Sequence, residues 1–129
     1  KYSAHSAKKL ATCRSELQRV FNEVIKQRDC TIITGHRDKA AQDEAYSTHH
    51  SETPWPQSHH NTLPSKAVDV MPYYSTAPHI RWNVDDPETM RELREFAAFV
   101  KGVACGLGVD IKWGGDFKSF FDGGHWQVD

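Results

Sequence analysis

Three stretches of this chain put residues capable of chemistry where a strand meets a loop: His60 to Asp69, Asp122 to His125, and Arg37 to Gln42. A strand end is a rigid place from which to hold a reactive group against solvent. Eight histidines stand among 129 residues, and imidazole is the side chain most used for metal binding and proton transfer. A hydrolytic zinc site takes three ligands from His and carboxylate and leaves one position open for water; His60, Asp69 and His125 would supply such a set. The pair His60 and Asp69 alone fits equally a solvated loop residue and a capping carboxylate. Asp69, however, lies between Val68 and Val70 in an apolar run, where an unpaired carboxylate is costly to bury and needs a cation or donors. Asp122-Gly-Gly-His125 puts a carboxylate close before an imidazole with a foldable backbone between them; a base beside a metal and a plain glycine turn are both open there. Arg37 offers a fixed fork of donors to a carboxylate or oxyanion, or to a structural salt bridge.

The elements that must carry these groups follow from periodicity. Leu10, Cys13, Leu17, Val20, Phe21, Val24 and Ile25 recur at three- and four-residue steps, which predicts one amphipathic helix from Ser6 to Lys26. Cys30 to Gly35 is short, β-branched and glycine-closed, and so predicts a buried strand. Asp38 is placed to cap a helix running to about Ser47. Thr48 to Lys66 has three prolines, Ser, Thr and four histidines without periodicity, which predicts a long irregular loop, of a length that is usually either functional or disordered. Ala67 to Met71 predicts a strand ended by Pro72. Asp86-Pro87 predicts the start of a helix buried through Met90, Leu93, Phe96, Ala97, Val100 and Val103, and ended by Gly106 or Gly108. Ile111 to Gly115 and Gly124 to Val128 predict two strands joined by a Phe-rich turn. Helices and strands interleaved without βαβ spacing predict an α+β fold with a mostly antiparallel central sheet and flanking helices.

Four blocks, in order, carry a resemblance to a known family: Gly35-His-Arg37 with Gln42; Ser58-His-His-Asn61 through to Ala67-Val-Asp69; Trp113-Gly-Gly-Asp116; and Asp122-Gly-Gly-His-Trp126. Together they resemble the zinc peptidases that include D-Ala-D-Ala carboxypeptidases and phage L-alanyl-D-glutamate endopeptidases, over nearly the whole chain. The resemblance implies a hedgehog/DD-peptidase-like fold, a Zn2+ cofactor on His60, Asp69 and His125, and Asp122 as general acid and base. It implies that Arg37 orients substrate or stabilises the oxyanion and that Gln42 and Ser58 are substrate-binding residues shaping the pocket. The His-to-Asp gap, Asn61 to Lys66, is longer than the family's usual one and lacks its glycine, so His59 and His60 both stand as metal histidines; the Ser-x-His parallel from Ser58 selects His60. Asp rather than Glu as base is similar to the endopeptidase branch, so the expected substrate is the peptidoglycan stem peptide, cut between L-Ala and D-Glu, with D-Ala-D-Ala carboxypeptidase as the alternative.

Composition bounds the rest. Hydrophobic residues at 38%, charged at 26% and aromatic at 11% describe a globular chain able to build a core, and the length suits one domain over residues 1–129. Sixteen basic against seventeen acidic residues leave a formal charge of −1. That gives no field toward nucleic acid or membrane and counts against a His-metal nuclease, which His59-His60-Asn61 superficially resembles. The third alternative is a zinc-keeping but inactive wall-binding or hedgehog-like signalling module; Asp122 and Arg37 together argue against it. Cys13, Cys30 and Cys105 suit a reduced compartment and are read as small core residues. His49 and His50 are expected to have no catalytic part, while Trp55, Tyr73, Tyr74 and Trp126 could line a cleft. Lys1 to Leu10 is polar rather than a secretory signal. The expectation is a monomeric phage endolysin held in the host cytoplasm until lysis and then acting on the cell wall.

Overall fold

The computed structural model describes residues 1–129. Its elements run α1 (Ala4–Leu10), α2 (Ser15–Val24), β1 (Cys30–Thr34), α3 (Lys39–Ser47), a 3-10 turn (His59–Asn61), β2 (Ala67–Pro72), α4 (Pro87–Leu107), β3 (Lys112–Trp113), a 3-10 turn (Gly114–Asp116) and β4 (His125–Gln127). The four strands form one antiparallel sheet in the order β1-β2-β4-β3, the α+β arrangement expected from the interleaved pattern.

One amphipathic helix was expected from Ser6 to Lys26, and the chain instead makes two. Its periodicity continues across Ala11 to Arg14, but that segment leaves the helix because tertiary partners claim its backbone. Ser65 N–H donates to Thr12 O at 2.8 Å, Arg14 N–H donates to Ser65 O at 2.9 Å, and Cys13 bridges to Ser65. Thr12 Oγ1 also accepts from His36 N–H at 2.9 Å. Gly35 passes so close to Lys9 O and Thr12 Oγ1 that a Cβ there would collide with both. This crossing ties the amino-terminal helices to the strand end that carries Arg37.

The other helices obey their local signals. Asp38 caps α3 by accepting from Ala41 N–H at 2.9 Å. Asp86 caps α4 ahead of Pro87, and Gly108 ends it at φ 71°, the left-handed conformation that favours glycine. Helix α4 buries Leu93, Phe96, Ala97, Val100 and Ala104 against α2, which buries Leu17, Val20, Phe21 and Val24. Cys105, expected in the core, follows Ala104 off the buried stripe and is exposed, whereas Cys13 and Cys30 are buried.

The core joins these helix faces to Ile32, Val68, Val70, Trp113 and Trp126. Trp126 packs on Phe21 with centroids 6.1 Å apart and on Trp113 at 6.0 Å. Full burial of side chains of this kind stabilises by about 1.5–3 kcal/mol each. Trp126 is therefore core rather than cleft lining. Tyr73 and Tyr74 lie beside Arg28, Asp29 and Glu92, away from Asp69.

Candidate metal centre

Alternation along β2 sends Val68 and Val70 into the core and turns Asp69 the other way. The antiparallel register sets His125 of β4 directly across from Asp69. An irregularity in β1 between Ile32 and Thr34 brings Thr34 opposite Asp69 as well, so the end of β1 delivers Gly35 and Arg37 to the same spot. His60 arrives from the loop, on the turn that Ser58 caps. Ser58 Oγ accepts from His60 N–H at 3.2 Å, and Ser58 N–H donates to Asn61 Oδ1 at 3.1 Å.

Hydrogen bonds on the far sides of both imidazoles decide which nitrogens face inward. His60 Nδ1 lies 2.8 Å from Gly35 O; a carbonyl only accepts, so Nδ1 carries the proton and Nε2 presents a lone pair. His125 Nε2 lies 2.8 Å from Gln127 Oε1, which leaves Nδ1 facing inward in the same state. Both inward nitrogens stand 3.3 Å from Asp69 Oδ1. His60 Nε2 and Asp69 Oδ1 are buried without a hydrogen-bond partner. Three acceptors, one each from His60, Asp69 and His125, thus lie within 4.8 Å of one another. Converging lone pairs repel unless something positive sits among them, so the donor set fits a divalent cation. Two imidazoles and a carboxylate are the ligand types that zinc takes in hydrolytic sites.

The remaining charges are arranged around this cluster. Arg37 Nη2 lies 3.3 Å from Asp69 Oδ2, and Arg37 Nη1 donates to Gln42 Oε1 at 3.2 Å. Burial pushes the Asp69 carboxyl up, but His60 and His125 outweigh it and hold the group ionised, well below the usual carboxylate range. Burial disfavours the charged form of His125, yet the Asp69 carboxylate beside it raises its pKa on balance. A proton on His125 and a metal therefore compete for one lone pair. Asp122 reaches within 4.0 Å of His125 Nδ1. Its carboxyl is raised, first by burial and then by the charge of Asp69. Gly114 lets Asp122 come this near, because a Cβ there would strike Asp122 O and His125 Cβ.

A cavity of about 270 Å³ opens over the cluster, and Arg37, Ser58, His60, Asp69, Asp122 and His125 all line it. Gln42, expected to bind substrate, is fully buried and cannot touch one. It holds Arg37 and Asn61 through Oε1 and donates to Ser51 Oγ and Thr53 O at 2.9 and 2.6 Å. His59 lines the cavity but stands outside the cluster. His49 and His50 line it too, beside Glu52, Phe117 and Phe120, and residue spacing gave no sign of this. After α3 the chain reverses at His49 (φ 63°), and His50 N–H and Ser51 N–H both return to Ala45 O. That reversal lays the segment over the cavity.

Known proteins resemble this chain in sequence and in fold. The chain is 30% identical over 138 aligned residues to the L-alanyl-D-glutamate peptidase of Escherichia phage T5, covering 99% of this chain and 97% of the relative. The crystal structure of the Serratia marcescens L-Ala D-Glu endopeptidase ChiX superposes with a TM-score of 0.78 at 26% identity, covering 99% of this chain and 89% of that one. Residues 1–127 match the sequence model described as phage L-alanyl-D-glutamate peptidase, and the chain belongs to that family.

Proposed function

We propose that this peptidoglycan hydrolase cuts the L-alanyl–D-glutamyl bond of the stem peptide with zinc held by His60, Asp69 and His125. The observation that carries the metal assignment is the convergence of three acceptor atoms with the opposite imidazole nitrogens engaged as donors. When bound there, zinc supplies a Lewis acid that acidifies water and polarises a carbonyl.

The chain's own groups supply the rest. Asp122, half-buried and raised in pKa, accepts a proton from the attacking water and delivers it to the leaving glutamyl nitrogen; a carboxyl nearer the working pH both takes and returns a proton more readily. Arg37 has two donors engaged with Asp69 and Gln42 and three left from its five. It offers these to negative charge growing on the scissile carbonyl oxygen, where a preorganised donor acts more strongly than water does. Gln42 and Asn61 position Arg37. Ser58 fixes the turn that presents His60.

Residues 1–129 act in this reading as one catalytic domain and as a monomer. It waits in the host cytoplasm and reaches the wall once the membrane is breached; no helix is long and apolar enough to cross a membrane. The test pairs metal analysis with mass spectrometry of digested walls. Wild type should carry one zinc per chain and release products with new glutamyl amino termini. Asp122→Ala should keep the zinc and lose at least a hundredfold in turnover, the lower range of general acid–base contributions. Loss of zinc in that variant would make Asp122 a ligand instead, and new termini at D-alanine would move the substrate to the carboxypeptidase branch.

A further inference from the structure

A second cavity, of about 430 Å³, opens from the metal cluster in another direction. It shares Arg37, His50, Asp69, Phe121 and Asp122 with the polar cavity, so the two meet where the reacting groups stand. Beyond that seam the second cavity has no charged residue, and its walls are apolar: Ile33, Met71, Trp82, Val84 and Leu93. The first cavity continues instead into Glu52, His49, Ser51, Gln57 and His59. One cleft thus has an apolar arm and a polar arm with the catalytic groups between them.

Trp82 is the unusual member of the apolar arm. It is 59% exposed, although indole is among the costliest surfaces to leave in water. Its neighbours are held firmly. The Arg81 guanidinium lies 3.7 Å over the Tyr74 ring and 3.7 Å from the Glu92 carboxylate, and Ile80 and Val84 pack against the core. An exposed indole on a pinned segment, lining an apolar hollow beside the candidate reacting groups, suits the C–H face of a sugar ring.

The proposed substrate divides the same way. On the amino side of the L-Ala–D-Glu bond lie the alanine methyl, the lactyl methyl and the muramic sugar, all uncharged. On the other side lie the carboxylates of glutamate and of the residue after it. Taking a carboxylate into an apolar arm without a partner is costly, so the uncharged half belongs there. We propose that the apolar arm is the subsite for the N-acetylmuramyl–L-alanyl half of the substrate and that Trp82 is the specificity-determining residue on which the sugar stacks. This assignment rests on the peptidase reading above.

The test uses the zinc-loaded full chain and two soluble peptides of L-Ala-D-Glu and a third residue, one bearing N-acetylmuramic acid on the alanine and the other a plain acetyl group. Wild type should bind the sugar-bearing peptide more tightly, with a KM lower by roughly five- to tenfold, the size of one aromatic stacking contact. In Trp82→Ala the KM ratio between the two peptides should collapse toward one, with the loss on KM rather than kcat. Trp82→Phe, which keeps a ring, should restore most of the ratio. Equal KM values in wild type, or a Trp82→Ala loss shared equally by both peptides, would overturn the subsite assignment alone. Failure of wild type to cut the Ala–Glu bond in either peptide would overturn the peptidase reading and the subsite with it.

Discussion

At the scale of single residues, hydrogen bonds decide what each titratable group can do. Gly35 O and Gln127 Oε1 turn His60 and His125 into lone-pair donors, and such partners on the far side of a ligating imidazole fix its tautomer and raise its basicity. The buried thiols show the opposite outcome. Burial pushes Cys13 and Cys30 up to about 11, so both stay protonated and inert at neutral pH. Iodoacetamide at pH 8 should add one label to the native protein, at exposed Cys105, and three after denaturation, counted by intact mass. Between an unfolded thiol pKa of about 8.5 and the folded value, the folded chain keeps protons that the unfolded chain releases, so stability falls as pH rises through that window. Two or more labels on the native protein would show that a buried thiol is accessible. The candidate ligand residues could be read from the family resemblance, to which the residues themselves added one sign, a carboxylate at Asp69 inside an apolar strand. The part played by Gln42 could not. Its position marked it as important, but whether an amide touches substrate or braces an arginine depends on burial, which the tertiary fold decides.

At the scale of elements, local chemistry was legible wherever a cap or a period acted alone. Asp38 and Asp86 declared helix starts, Gly106 or Gly108 an end that the fold places at Gly108, and the hydrophobic stripe of α4 its buried face. The break between α1 and α2 was not legible, because Ser65, more than fifty residues away in sequence, supplies the bonds that pull Cys13 out of the helix. The capping turn at Ser58 was hidden inside an aperiodic loop for the same reason: its purpose is to present His60 to strands that come later. The cap on α4 gives a measurable case. Asp86 Oδ2 accepts from Thr89 N–H at 3.2 Å and from Thr89 Oγ1 at 2.8 Å, so Asp86→Ala should cost about 1 kcal/mol in denaturant unfolding. Glu88→Ala, whose carboxylate meets only exposed Arg91 at 3.5 Å, should change stability by less than about 0.5 kcal/mol. Equal effects of the two would mean that the cap contributes nothing beyond surface charge.

Across the whole molecule the three candidate ligands come from a loop turn, a central strand and the last strand of the sheet, so a cation bound among them would close loops that nothing covalent closes: the cysteines form no disulfide. A ligand that binds only the folded state stabilises it by mass action, by about 2.7 kcal/mol at a hundredfold excess over Kd. Chelation should therefore lower Tm by several degrees, and equimolar zinc should restore it. Without a cation the three acceptors would stand in mutual contact, which protonation of His125 would relieve only in part because Asp69 Oδ1 faces both imidazoles. Asp122→Ala, which leaves the ligand set whole, should show the same chelator-dependent drop, whereas His125→Ala should start low and respond little. Differential scanning calorimetry with metal content measured on the same samples decides the matter. An unchanged Tm in wild-type protein proven free of metal would mean that the fold holds these residues together unaided, and that the cation serves the chemistry without serving the fold.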